Sequence, residues 1–289
     1  MSGHPFVFVS DLHGRIDCYH KLFSLIRQEN PRAIFLGGDL LPSGSLLLGS
    51  KRFGQDDFVN DFLMPELRSL RGLLKKIYPR FFLILGNDDA RSQEAALCLN
   101  KNENLWDYMH FRKTNLDIYS IYGYSCVPPT PFTLKDWERY DVSRFVDPGS
   151  IPPEEGRFSV DLPENESAFP TIQEDLEKLA GQDVLTQAIF LFHSPPYQTH
   201  LDRAALDGCM VDNAPLDVHV GSIAIRRFIE ARQPLVTLHG HVHESARLTG
   251  FWQEKIGRTF CFSAAHDGPE LAVVFFDPQD PSQAIRRLL

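Results

Sequence analysis

Cysteine is scarce in this sequence of 289 residues, and its few copies are not arranged for cross-linking. The five cysteines are odd in number, scattered, and never spaced as CxxC: Cys18, Cys98, Cys126, Cys209 and Cys261. Disulfide frameworks and zinc ribbons both need paired cysteines at short, regular spacings. We therefore expect neither, and instead expect reduced thiols in a cytoplasmic protein.

Long apolar runs and an excess of positive charge are also missing. No stretch approaches the roughly 18 apolar residues that a membrane helix needs, and residues 1–5 lack the basic segment of a signal peptide. The 29 basic and 38 acidic residues give a net charge of −9, whereas a broad nucleic-acid surface is usually basic. We expect no membrane binding and no broad nucleic-acid surface; the sequence leaves the oligomeric state open.

The overall composition is that of an ordinary globular protein. Apolar residues make up 43% of the chain and charged residues 23%, both near the averages for soluble domains. The sequence contains no internal repeat, low-complexity tract or convincing linker. We expect one domain over residues 1–289.

Apolar patterning predicts alternating strands and helices in the first ninety residues. Runs at 6–10, 33–36 and 81–85 predict strands buried on both faces, and amphipathic stripes between them predict two helices. This order favours a mostly parallel sheet with right-handed crossovers. Further strands are predicted at 116–122, 188–192, 235–238, 247–251, 259–263 and 271–276, with helices beginning at a Thr171–Glu174 capping box and at 223. The Pro-rich segment 127–156 is long enough to predict a functional loop.

Five short polar motifs each follow a predicted buried strand. They are Asp11-Leu12-His13-Gly14, Gly37-Gly38-Asp39, Gly86-Asn87-Asp88-Asp89, His193-Ser194-Pro195-Pro196 and His239-Gly240-His241-Val242-His243. Loops at the carboxyl ends of parallel strands converge on one crevice. If the first two strands are neighbours, the carboxylates of Asp11 and Asp39 lie about 5 Å apart and repel unless a cation lies between them. With the histidines and an amide oxygen, they form a ligand set for first-row divalent metals.

Each motif taken alone has a simpler explanation. Asp11 is compatible with a turn, Asp39 with a turn or helix cap, and Asn87 with a left-handed backbone position. His193 is compatible with a hydrogen-bonded core histidine. Three histidines in the five residues 239–243 are harder to explain by packing, and the ordered set as a whole favours metal binding.

The ordered motifs resemble those of the calcineurin-like metallophosphoesterase superfamily, which run DxH, GDx, GNH(D/E), H and GHxH. The resemblance spans residues 6–244. It is closest to small bacterial and archaeal predicted phosphoesterases, which carry HxPP, a following Thr and LD, and then GHxHES; the matching residues here are His193–Pro196, Thr199, Leu201-Asp202 and Gly240–Ser245. The resemblance implies an α/β protein with a four-layer α/β/β/α sandwich of two mixed sheets, the metallo-dependent phosphatase fold.

The resemblance also implies a centre for two divalent transition-metal ions, which would be Mn, Fe, Zn or Ni, with Mn favoured. By motif position, the first metal would take Asp11, His13 and His243. The second metal would take Asn87, His193 and His241, and Asp39 would bridge both. A water bridging the two metals would lose its proton near neutral pH and attack phosphorus in line. We therefore expect a hydrolase acting on small phosphoesters.

The sequence departs from the family pattern at one position, since Asp88 stands where GNH(D/E) has its histidine. As a residue of the catalytic site, Asp88 would add a negative charge that opposes dianionic monoesters more than diesters, which favours a phosphodiesterase. Alternatively, Asp88 or Asp89 caps the helix that follows. A phosphomonoesterase with another proton donor and a non-catalytic metal-dependent binding protein remain the alternative functions.

Four further residues are candidates for substrate contact or for support of the metal ligands. Arg15 and Tyr197 are candidate substrate contacts. His239 is expected to support the site at a strand end rather than to bind metal. Glu244 is either solvated or orients a metal-bound imidazole, a common role of carboxylates next to metal sites.

Overall fold

The computed structural model of the chain describes residues 5–44, 57–99, 103–161 and 169–289. The first sheet consists of β1 (Phe6–Val9), β2 (Ala33–Gly37), β3 (Arg80–Ile84), β4 (Asp107–Tyr108), β13 (Ala272–Phe276) and β14 (Ile285–Leu288). Its strand order is β14-β13-β1-β2-β3-β4. Strands β1 to β4 are parallel, whereas β13 is antiparallel to both of its neighbours.

The second sheet has the same mixed character. It consists of β5 (Arg112–Leu116), β6 (Tyr119–Tyr124), β7 (Ala188–Phe192), β10 (Val236–His239), β11 (Gln253–Ile256) and β12 (Thr259–Ser263). The order is β11-β12-β10-β7-β6-β5, with four parallel central strands and antiparallel edges. A small hairpin, β8 (Met210–Val211) and β9 (Ala214–Pro215), stands apart from both sheets.

The described helices are α1 (Ile16–Glu29), α2 (Met64–Leu74), α3 (Glu94–Leu99), α4 (Ile172–Ala180), α5 (Ile223–Arg232) and α6 (Ser245–Thr249). A π-helical turn, Val59–Leu63, leads into α2, and 3-10 turns occupy Lys75–Ile77, Arg91–Gln93, Pro153–Glu155 and Pro281–Gln283. Within the described ranges, every helix lacks the length or the apolar character needed to cross a membrane.

The two sheets pack face to face because alternate side chains of a strand point to opposite faces. One buried cluster contains inward-facing residues of both sheets, including Phe8 and Phe35 of the first and Leu191 and Leu238 of the second. The alternate residues on the outer faces are buried with the helices, as Phe190 is against Phe228 of α5, with ring centroids 5.1 Å apart. The predicted α/β/β/α sandwich of two mixed sheets is confirmed.

Sequence patterns located the buried strands and one helix start well. The predicted strands 188–192 and 259–263 match β7 and β12 residue for residue. Thr171 and Glu174 form both hydrogen bonds of the predicted capping box at α4. Long apolar runs and local capping are the features that a sequence encodes most directly, so these elements needed no tertiary information.

One predicted strand had the wrong bounds and another was wrong. Segment 116–122 is divided between β5 and β6, because the chain reverses at Asp117, which adopts the left-handed backbone conformation that aspartate tolerates. Segment 247–251 lies largely in the short helix α6, which ends at Gly250 with a φ of 79°. Glycine in this conformation is a common helix terminator, and a five-residue apolar pattern does not distinguish strand from helix.

The long segment predicted as a loop, 127–156, is mostly irregular but is held by a buried ion pair. The Nζ of Lys135 lies 2.5 Å from Oε2 of Glu138, and both side chains are fully buried. Glu138 also accepts hydrogen bonds from the backbone nitrogen and the hydroxyl of Thr130. Burial raises the pKa of Glu138 to about 7, despite the opposing effect of Lys135, and burial lowers the pKa of Lys135. The conformation of this segment therefore depends on a pair of charges removed from water.

We expect Lys135→Met to lower the free energy of unfolding by about 3–5 kcal/mol, because it leaves the Glu138 carboxylate buried without its cation. The control is Lys113→Met, which breaks an exposed pair with Asp183 and should cost less than about 1 kcal/mol. Urea unfolding of both variants measures the difference. Adding Glu138→Leu to Lys135→Met should recover much of the loss. Equal costs for the two single variants would contradict the role assigned to the pair.

Candidate metal centre

The five polar motifs meet at one place because they follow strands whose carboxyl ends share an edge. Strands β1, β2 and β3 are parallel neighbours in the first sheet, and β7 and β10 are parallel neighbours in the second. The loops that leave them surround a cleft of about 440 Å³. It is lined by His13, Asp39, Ser43, Asn87, Asp88, Phe132, His241, His243 and Glu244.

One group of candidate ligands consists of Asp11, His13, Asp39 and His243. One ligand atom from each lies within 4.8 Å of the others. The Nε2 atoms of His13 and His243 are 3.2 Å apart, and Nε2 of His243 is 3.4 Å from Oδ1 of Asp11. Two carboxylates and two imidazoles at this spacing form a mixed nitrogen and oxygen donor set, which fits a divalent transition metal.

A second group lies on the other side of Asp39. Nε2 of His193 is 3.1 Å from Oδ1 of Asn87 and 3.4 Å from Oδ2 of Asp39. The same Oδ2 atom is 3.9 Å from Nε2 of His13. The ring of His241 lies 5.2 Å from that of His193, centroid to centroid, and also lines the cleft. Asp39 therefore lies between the two groups, and the structure brings all seven predicted ligands together.

The backbone at these ligands is unusual. Asp11, His13, Asp39 and His241 have φ angles of 58°, 46°, 50° and 74°. Few residues other than glycine adopt positive φ, and such residues cluster at functional sites. At Gly38, with a φ of 94°, a Cβ would also lie only 2.5 Å from Nδ1 of His193. The sharp turns that aim these side chains into the cleft thus carry a conformational cost.

The two carboxylates of the centre are held in their ionised form. Burial alone raises the pKa of Asp11, but the hydrogen bond and charge of His243 outweigh burial, and the pKa falls to about 2. For Asp39 burial again raises the pKa, and the charge and hydrogen bond of His193 outweigh it and bring the pKa well below its usual range. Ionised carboxylates are acceptors only, as a metal ligand must be.

The charges of Asp11 and Asp39 also shift the pKa values of the neighbouring imidazoles. Burial lowers the pKa of His13 and His193, but the facing carboxylates outweigh burial and raise both values to about 9. For His241, burial lowers the pKa to about 3, and the charge of His193 acts in the same direction. Negative charge is therefore concentrated around Asp11 and Asp39, where positive charge is most strongly favoured.

Asp88 contacts a candidate metal ligand. Its Oδ2 atom lies 3.2 Å from Nδ1 of His13, and its Oδ1 accepts a 2.7 Å hydrogen bond from the hydroxyl of Ser43. Its backbone nitrogen donates to Oδ1 of Asp39 over 2.8 Å. The carboxylate of Asp88 therefore contacts the Nδ1 side of the His13 ring and also lines the cleft.

Asp89 has a different, structural role. Its buried carboxylate accepts hydrogen bonds from the backbone nitrogens of Leu40, Leu41 and Gly86, which joins the loop after β2 to the loop after β3. The turn that leads into α3 is instead capped by Asp136, whose Oδ2 accepts from the backbone nitrogen of Arg91 over 2.7 Å. The alternative interpretation of Asp88 or Asp89 as a helix cap was wrong, because both carboxylates are used elsewhere.

His239 and Glu244, the two candidates for support of the metal ligands, lie in different surroundings. His239 is buried, with Nδ1 2.9 Å from the carbonyl of Ser194 and Nε2 2.8 Å from the hydroxyl of Thr237, so neither nitrogen faces the cleft. Glu244 lines the cleft and accepts a hydrogen bond from the backbone nitrogen of Ala205.

Arg15 and Tyr197 are not among the residues that line the cleft. The guanidinium of Arg15 binds the carbonyl of Pro269, and the hydroxyl of Tyr197 donates to Asp217 over 2.6 Å. The structure thus does not bring these two candidate substrate contacts to the metal ligands. Conversely, sequence reasoning missed Ser43 and Phe132, because neither belongs to a recognisable motif.

A family model described as calcineurin-like phosphoesterase matches residues 4–245 of the chain. A search of curated proteins finds no significant match. Among solved structures, one crystal structure has a TM-score of 0.60 at 16% identity and covers 99% of this chain and 98% of its own. The protein TT1561 of Thermus thermophilus has a TM-score of 0.55 at 15% identity, with the same coverage. At these identities the two structures support the fold alone.

We expect His241→Ala to reduce the metal content of the purified protein and His239→Gln to leave it unchanged. The two histidines are two residues apart, but only His241 lines the cleft, whereas both ring nitrogens of His239 have partners in the core. Elemental analysis after loading with Mn²⁺ and desalting measures the difference. Loss of metal in His239→Gln, with its thermal stability unchanged, would show that the ligand set is misassigned.

Proposed function

Because this chain belongs to the calcineurin-like phosphoesterase family, we propose that it is a metal-dependent hydrolase of small phosphoesters that prefers phosphodiesters. The observation that carries the proposal is the position of Asp39, with one carboxylate oxygen 3.9 Å from Nε2 of His13 and 3.4 Å from Nε2 of His193. A single carboxylate between two donor groups suits a centre of two cations better than a centre of one.

The assignment of residues to the two cations follows the two groups. Asp11, His13 and His243 would hold one cation, Asn87, His193 and His241 would hold the other, and Asp39 would be shared. We favour manganese, because the carboxylate and amide oxygens in the ligand set suit it. These residues would thereby hold two cations whose chemistry, when they are bound, would be the activation of water and the stabilisation of charge on the phosphate group.

The chain itself contributes the orientation of its imidazoles. Nδ1 of His193 donates to the carbonyl of Gly37 over 2.8 Å, which directs Nε2 towards Asn87 and Asp39. On the other side of the cleft, the carboxylate of Asp88 accepts from Nδ1 of His13. A partner on one ring nitrogen fixes both the tautomer and the direction of the other nitrogen. We assign to Asp88 this positioning role.

The preference for diesters follows from the absence of the family histidine at position 88. The family histidine, which Asp88 replaces, would offer a proton to the leaving oxygen, and a positioned acid typically contributes about 10²–10⁴-fold. The carboxylate of Asp88 also adds negative charge to the cleft wall, which opposes a dianionic monoester more than a monoanionic diester. The site therefore suits diesters whose leaving group departs without a proton.

Purified protein is expected to hold close to two equivalents of Mn²⁺ and to hydrolyse bis-p-nitrophenyl phosphate. Asp39→Asn should lose both metals and the activity, since the shared carboxylate becomes a neutral amide. The control is Asp117→Asn, which changes an exposed aspartate in the β5–β6 turn. Elemental analysis and release of p-nitrophenolate are the measurements. One equivalent in the wild type, or two in Asp39→Asn, would disprove the shared position of Asp39.

Asp88→His is expected to raise monoesterase activity relative to diesterase activity, because it adds an imidazole and removes a negative charge, whereas loss of the partner of His13 lowers both activities alike. The wild type should have a higher kcat/KM for bis-p-nitrophenyl phosphate than for p-nitrophenyl phosphate, and the variant should narrow this ratio about tenfold or more. Asp88→Asn, which removes the charge without adding an imidazole, separates the two causes. Equal gains on both substrates, or a wild type already better on the monoester, would show that Asp88 does not control the choice.

A further inference from the structure

Phe132 is the one apolar residue among the nine described residues that line the cleft. The others are carboxylates, imidazoles, an amide and a hydroxyl. The residue is 58% exposed, although it lies within a folded segment of the chain. An aromatic ring beside a polar centre and open to solvent is available for contact with a ligand, and burying it against an apolar group is favourable.

Phe132 is exposed although hydrogen bonds hold the backbone of its turn in place. Its backbone nitrogen donates to the hydroxyl oxygen of Thr130 over 3.1 Å. That hydroxyl donates in turn to Oε1 of Glu138 over 2.5 Å, and Glu138 belongs to the fully buried ion pair with Lys135. Lys135 also donates to the carbonyl of Thr130 over 2.8 Å. The turn that carries Phe132 therefore rests on a buried network.

The same segment is attached directly to the loop that carries Asn87 and Asp88. The indole nitrogen of Trp137 donates to the carbonyl of Asp89 over 2.9 Å. These contacts fix the segment that carries Phe132 relative to the candidate ligand Asn87 on that loop. A ring held in this way can bind a ligand without the entropic cost of ordering a loop.

We propose that Phe132 stacks against a planar aromatic group of the substrate, an aryl or nucleobase ring, while the phosphate group lies at the candidate metal centre. This inference rests on the proposed phosphoester hydrolysis and narrows its substrates to esters that carry such a ring. The face of a phenylalanine ring gains most from another flat π-system, and stacking tolerates different rings because each has a π-face.

Direct binding of two phosphonates to the Mn²⁺-loaded protein tests this proposal. Phenylphosphonate and methylphosphonate share the head group and differ in the aromatic ring, so the change in their affinity ratio when Phe132 is replaced reports its contact with the ring. By titration calorimetry, the wild type should bind phenylphosphonate about tenfold more tightly, the size of one stacking contact. Phe132→Ala should bring the two affinities within about twofold of each other, with methylphosphonate affinity and metal content unchanged. Phe132→Tyr should keep the wild-type ratio.

The matched control is Phe145→Ala, which removes an aromatic ring of the same segment that is 70% exposed and does not line the cleft. It should keep the wild-type ratio. A wild type without preference for phenylphosphonate, a Phe132→Ala variant that keeps the preference, or a Phe132→Leu variant that keeps it in full would overturn the aromatic contact. Because binding is measured directly, failure of this inference is distinct from failure of hydrolysis, which bis-p-nitrophenyl phosphate reports separately.

Discussion

The buried carboxylate of Asp39 is the interaction on which the centre of this molecule depends. It follows β2 in the first sheet, yet one of its oxygens faces His193, which follows β7 in the second sheet. A buried negative charge is stable only where positive charge or hydrogen-bond donors surround it. The sandwich meets this requirement because the carboxyl ends of its central parallel strands lie at one edge. Imidazoles from both sheets and the backbone nitrogen of Asp88 therefore surround the carboxylate of Asp39.

This convergence has a structural cost that the rest of the fold offsets. Four of the candidate ligands have positive φ angles, a conformation that persists only when the surroundings over-determine it. Asp89 contributes by joining two of the ligand-bearing loops through three backbone hydrogen bonds. Strands β1, β2, β7 and β10, which are buried on both faces, supply the rigid base from which these strained turns depart.

The centre combines the seven candidate ligands with two neighbouring residues, Asp88 and Phe132. The seven candidate ligands all lie within residues 4–245, the range that the calcineurin-like phosphoesterase model matches. Neither Asp88 nor Phe132 is a candidate ligand, but both lie beside the centre: Asp88 contacts Nδ1 of His13, and Phe132 forms an apolar part of the cleft wall. We therefore expect substrate choice to depend on these two residues and the metal-dependent chemistry to depend on the proposed ligands.

Most of the buried strands and the capping box at Thr171 could be predicted from local sequence patterns, and the seven candidate ligands from those patterns together with the resemblance of the motifs to a known family. These features are local, because each ligand motif directly follows an apolar run, and parallel strands bring such loops together whatever lies between them. The position of Asp88 beside Nδ1 of His13 and the place of Phe132 in the cleft wall emerge only in the folded chain. Each of these depends on contacts between segments far apart in the chain, as His13 and Asp88 are, and a local pattern carries no information about which distant side chain will fill the space beside it.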